Sequence, residues 1–156
     1  MGFESFLIVA QIAVTLTGFI GITVMLRHGR DAGFYQLMLG SLLQTTLGAT
    51  FFALVPDFLS HLLAPAVMWR VACGSFGCYH LVIFTLHIFK QRSLKQMSII
   101  QRVVTIVSVP IIGLKLSVGF GLFIANAYSI YYLGLLWMLG IACYGFTLIL
   151  SHNTKE

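Results

Sequence analysis

Residues 34–57, from Phe34 to Asp57, read FYQLMLGSLLQTTLGATFFALVPD and carry no charge before Asp57. An apolar stretch of this length is what a helix needs to cross the hydrocarbon core of a bilayer. Ser41, Thr45, Ala49 and Ala53 recur every four residues and line one stripe of that helix, with Gly40, Gln44 and Gly48 in a second stripe beside it. Small side chains at this spacing let helix backbones approach closely, which is how helices associate in lipid, where apolar burial gives no preference. The stretch is read as the central helix of a membrane bundle. It stops at Pro56-Asp57 and presents Ser41, Thr45, Gly48 and Ala49 to its neighbours.

Composition supports that reading. The chain is 59% hydrophobic and 8% charged, whereas a soluble domain carries about 25% charged residues. A water-exposed surface cannot be built from so few charges, so one integral-membrane domain spanning residues 1–156 is expected, with the lipid bilayer as its surroundings. The net charge of +5 does not point to nucleic acid. The basic residues lie between apolar runs rather than on a folded basic face, and membrane orientation accounts for them. Cys73, Cys78 and Cys143 all fall inside apolar runs, which argues for packing rather than a disulfide framework. The first run starts with Glu4 and lacks a basic leader, so it is read as a span rather than a cleaved signal.

Working outward from the central stretch, five apolar runs appear near 5–26, 34–56, 66–89, 103–123 and 128–150. In the first, Ala13, Thr17 and Gly21 make one small stripe and Ala10, Val14 and Gly18 another, predicting a close antiparallel pair with the second helix packed through Gly18 and Gly21. Arg27 to Gly33 is a polar turn. DFLSHLLAP, from Asp57 to Pro65, is expected to form a brief interfacial helix, with Pro65 in the first turn of the next span. Trp69 belongs at headgroup depth, and Arg70 can snorkel to the same level. In the fourth run Pro110 predicts a kink at Ile106. Gly113, Gly119 and Gly121 leave open a run that dips and returns through Asn126, giving a four-span alternative. Tyr128, Tyr131 and Tyr132 read as an aromatic belt.

Five spans place Arg27, Arg30, Lys90, Arg92, Lys95, Arg102 and Lys155 on one side of the membrane and leave Arg70 and Lys115 to the other. That bias predicts an N-terminus outside and a C-terminus inside. TLTGFIGITVMLR (15–27) and LLQTTLGATFFALVPDFL (42–59), followed by Trp69-Arg70, resemble a widespread group of small bacterial inner-membrane proteins without an assigned function. The resemblance rests on Gly18, Phe19, Gly21, Phe51, Phe52 and Pro56. It covers the N-terminal part of the chain through Arg70, implies a bacterial multi-span protein and brings no active site with it.

Candidate chemistry concentrates on the third span, where Cys73, Gly77, His80, Phe84 and His87 share one helix face. Histidine at membrane depth is a candidate ligand, and haem b held by His80 or His87 is the cofactor reading. The two histidines lie roughly 10 Å apart along their helix, so they cannot share one iron. His87 can reach His28 or His152, whereas His80 has no evident histidine partner. Interhelical hydrogen bonding to the polar side chains of the bundle is the simpler and preferred explanation of both histidines. Gln11, Gln44 and Asn126 either line a polar route or join helices.

Glu4, Asp31, Asp57 and Glu156 are the whole complement of carboxylates, and none lies deep in a span, which excludes an intramembrane carboxylate relay and paired-carboxylate catalysis. Lys115, well inside the fourth span, must snorkel, pair or lose its proton, and Asp57 is its expected partner. No phosphate-binding loop, nucleophile elbow or zinc-protease motif is present, and no metal site is expected. The expected function is a non-enzymatic accessory or assembly subunit, or a small oligomeric transport-type bundle. A haem- or metal-binding redox protein is the alternative. Partners beyond lipid would be further copies of the chain or a larger membrane complex.

Overall fold

The computed structural model describes the backbone of residues 4–26, 32–92 and 99–151, and the side chains of 4–22, 39–89 and 102–147. Five helices follow in order: α1 (Glu4–Leu26), α2 (Ala32–Ser60), α3 (Pro65–Arg92), α4 (Ile99–Gly119) and α5 (Ala127–Ser151), the last preceded by a single 3-10 turn at Ile124–Asn126. Each contains a stretch long and apolar enough to cross a membrane. The chain is an all-α, multi-span membrane protein. The polar turn around Arg27 to Asp31, Lys95 and the tail from His152 onward lie outside the described residues, as do the expected approaches of His28 and His152 to His87.

Three boundaries differ from expectation, each for a local reason. Pro56 does not stop α2. It is fully buried inside the helix, which runs one further turn to Ser60. A proline removes one backbone hydrogen bond, and close to a helix end that loss is small. The expected interfacial helix is therefore the last turn of α2 plus a tight turn, in which Leu59 O accepts from the amides of Leu62 and Leu63. Pro65 does begin α3, as its fixed φ favours.

The fourth run is one continuous helix and not a dip, and it ends at Gly119 rather than Phe123. Its end is a Schellman cap. Leu122 N donates to Ser117 O and Gly121 N to Val118 O, both at 2.9 Å, with Gly121 left-handed at φ 93°.

The chain divides into two compact units, Met1–Val55 with Leu135–Glu156, and Pro56–Gly134. In the first unit, α1 buries Phe6, Val9, Ala10, Ala13 and Ile20, and α2 buries Leu42, Thr45, Thr46, Ala49, Phe52 and Ala53. The stripe through Thr45, Ala49 and Ala53 is thus the inward one, with Ser41 half-buried and Gly48 buried beside it. Threonine hydroxyls on this face are satisfied within the helix, Thr45 donating to Ser41 O at 2.8 Å and Thr46 to Leu42 O at 3.0 Å. They need no partner across the interface.

Gly18 and Gly21 are not the close-packing points expected. Among the described residues a Cβ at either would meet nothing within 4 Å, and the same holds for Gly40. The close approach lies elsewhere. Ile20, Leu42 and Ala142 form one cluster, and Leu42 sits over Gly145 of α5, where a Cβ would come within 2.5 Å of Leu42 Cδ2.

Candidate functional site

The second unit is organised by glycines at the crossing of α3 and α4. A Cβ on Gly119 would lie 2.8 Å from the Cα of Gly74, and one on Gly77 would lie 2.9 Å from Leu116 Cδ2. The two helices therefore meet nearly backbone to backbone, which is the use of small residues in membrane packing. The inward face of α4 is Ser108, Ile111, Ile112, Lys115 and Val118, at helical spacing. Lys115 occupies a core position of an otherwise mostly apolar stripe and is fully buried, at 0% exposure.

The lysine neither snorkels nor reaches Asp57, which is exposed. Its Nζ lies 2.6 Å from His80 Nδ1, and the charge stands 3.7 Å from the centroid of the Phe76 ring. Phe76 stacks on His80 and tilts against Tyr131 of α5 at 5.1 Å. Gly134 of α5 leaves the space for the lysine stem, because a Cβ there would lie 3.0 Å from Lys115 Cδ and 3.3 Å from Nζ. Cys73, one turn before Phe76, is fully buried with its Sγ 3.8 Å from Ala127 O. Among the described residues no carboxylate pairs with Lys115.

This is an unusual place for a cation. An ammonium has three N–H donors and no acceptor. His80 takes one, and the Phe76 ring faces the charge as an aromatic π-system does. Lysine and histidine can keep the 2.6 Å contact in two protonation states that differ by one proton. With the amine neutral, Nδ1–H donates to Nζ. With the ammonium formed, Nζ–H donates to Nδ1 and the imidazole hydrogen sits on Nε2. The pair can take up or release a proton without losing its bond.

The other sequence candidates disperse. Cys73, Gly77 and His80 are buried, whereas Phe84 is half-buried and His87 exposed, so the face predicted for α3 holds only to His80. Gln11, Gln44 and Asn126 are exposed. Cys78 and Cys143 are exposed free thiols. Arg70 is exposed and lays its guanidinium on the Schellman glycine, where a Cβ on Gly121 would meet Cζ and Nε at 3.5 Å. Tyr131 is no belt residue: it is fully buried between Trp69, at 5.9 Å, and Phe76. Tyr128 and Tyr132 stack on each other at 6.2 Å.

No group of three or more histidine, cysteine or carboxylate side chains able to hold a metal occurs among the described residues. The signal that would have found the site is the glycine set Gly74 and Gly77 on α3 and Gly134 on α5, which brackets Lys115 from both neighbouring helices, with Gly119 on its own helix. Comparison with family models, with curated proteins and with solved structures yields no match.

Proposed function

We propose that this chain is a small transport-type protein of the bacterial inner membrane, and that Lys115 and His80 form its proton-exchanging centre. The observation that carries the reading is the buried Nζ held 2.6 Å from His80 Nδ1, with no carboxylate paired to it among the described residues. Ionisable groups inside membrane spans are costly and mark ion routes and proton relays. A subunit that only packs or assembles could join α3 to α4 through neutral hydrogen-bonding groups, without a basic amine at a core position. An apolar residue of similar volume in place of a buried charged group is often neutral or stabilising. The bacterial membrane follows from the resemblance in the first two spans.

The redox alternative is less well supported. Whenever the lysine carries its proton, a metal on His80 Nε2 would put a second positive charge on the same ring, and like charges in a desolvated site disfavour each other.

Proteoliposomes with a pH dye in the lumen test the proposal. Under a potassium diffusion potential, wild-type protein should pass protons several-fold faster than protein-free vesicles, and Lys115→Met should fall to the vesicle background. Equal proton passage by wild type and empty vesicles would refute it.

A further inference from the structure

We propose that the lipid-facing side of α1, centred on Gln11, is the contact surface for a second copy of this chain. The inference stands apart from the proton-exchanging reading above. α1 turns Phe6, Val9, Ala13 and Ile20 inward. Its opposite side exposes Ile8, Gln11, Thr15, Gly18 and Ile22. They recur at spacings of three and four, the seam by which paired helices mesh.

Gln11 is the residue on that seam that lipid cannot serve. It lies within the apolar span Glu4–Ile22, about 10 Å along the helix from Glu4 and about 16 Å from Ile22 at 1.5 Å per residue. So short a side chain reaches neither membrane surface from there. A primary amide carries two N–H donors and a carbonyl acceptor, and the Gln11 side chain bonds to no group among the described residues. The Thr15 hydroxyl, next along the seam, is already satisfied by donating to Gln11 O at 2.8 Å. A polar side chain left in hydrocarbon without a partner is costly.

A second copy meets this need by symmetry. Copies inserted with the same topology share one orientation, so a two-fold axis along the membrane normal sets the two α1 helices side by side with equal residues at equal depth. Gln11 then faces Gln11 of the second copy. Each amide is donor and acceptor at once, and the two satisfy each other through a reciprocal pair of N–H···O=C bonds. An unlike partner would have to offer both groups at that same depth. Gly18, two turns further on, leaves room for close approach, since among the described residues a Cβ there would meet nothing within 4 Å. A single polar pair in an apolar seam also fixes its register.

The test uses the full chain with its exposed thiols, Cys78 and Cys143, replaced by serine. In membranes treated with copper phenanthroline, Thr15→Cys or Ile22→Cys should give disulfide-linked dimers. They should form several-fold faster than with Ile12→Cys on the flank of α1 or Val82→Cys on α3, both also exposed. Sedimentation equilibrium in density-matched mild detergent then measures the contribution of the amide. Wild type should dimerise, Gln11→Leu should weaken the dimer about tenfold or more through loss of two interhelical hydrogen bonds, and Gln11→Asn should keep most of it. Leucine at a lipid-facing position leaves the fold intact, so unchanged helix content by circular dichroism should accompany the loss. A wild type that stays monomeric at every concentration, a Gln11→Leu dimer as tight as wild type, or links at Val82 in place of Thr15 would each overturn the proposal.

Discussion

At the scale of single residues, Lys115 and His80 are not equivalent partners. Removing the lysine leaves a neutral imidazole among aromatic rings, whereas removing the imidazole leaves an amine without its acceptor. Breaking a buried polar contact on the side that strands the charge is the costlier change, by about 1–3 kcal/mol or more for a charged group. Thermal unfolding in detergent should therefore show His80→Leu as clearly destabilising and Lys115→Met as near neutral. In a double-mutant cycle the two should couple by about 0.5–3 kcal/mol, as contacting residues do. Equal losses that simply add would show that the two side chains do not interact. Each residue was visible in the sequence as a polar group at membrane depth. Their pairing was not, because it depends on the register of α3 against α4, which is set by contacts 35 residues apart in the chain. Asp57 looked the better partner because charge was read along the chain and burial was not. Its exposure at the end of α2 removes it.

At the scale of the elements, apolar length was enough to find all five helices, because a lipid core demands about twenty apolar residues whatever their identity. Their ends and close contacts were harder to read. Proline reads as a stop, yet Pro56 sits close enough to the end of α2 to be carried inside it. Small-residue stripes occur on several faces, and only packing decides which one is used. Gly119 meets the Gly74 backbone, whereas Gly18 faces open space. Gly119→Ala should accordingly lower the unfolding temperature in detergent through overpacking of about 1–3 kcal/mol. Gly18→Ala should hold or raise it slightly, since alanine is the better helix former by about 1 kcal/mol. Gly145→Ala should fall between them, because the atom it meets is the end of a flexible leucine. Similar melting of all three variants would place the tight interface elsewhere.

At the scale of the whole molecule, five spans predict the two ends of the chain on opposite sides of the membrane, and the lysine and arginine bias predicts an N-terminus outside. A cysteine introduced at Ser60 or Asn126 should react with an impermeant reagent added from outside, and one at Thr154 should not. Reaction at Thr154 would reverse the orientation or remove a span. Composition alone made the membrane class legible. The proposed centre rests on one contact between α3 and α4, and everything proposed for its function turns on that contact. The most direct measurement is the 15N spectrum of histidine-labelled protein in bilayers. His80 Nδ1 should show a strongly hydrogen-bonded signal that shifts by several parts per million in Lys115→Met, while the His87 signals stay in place. A His80 spectrum identical in wild type and Lys115→Met would contradict the pair, and with it the proton-exchanging centre.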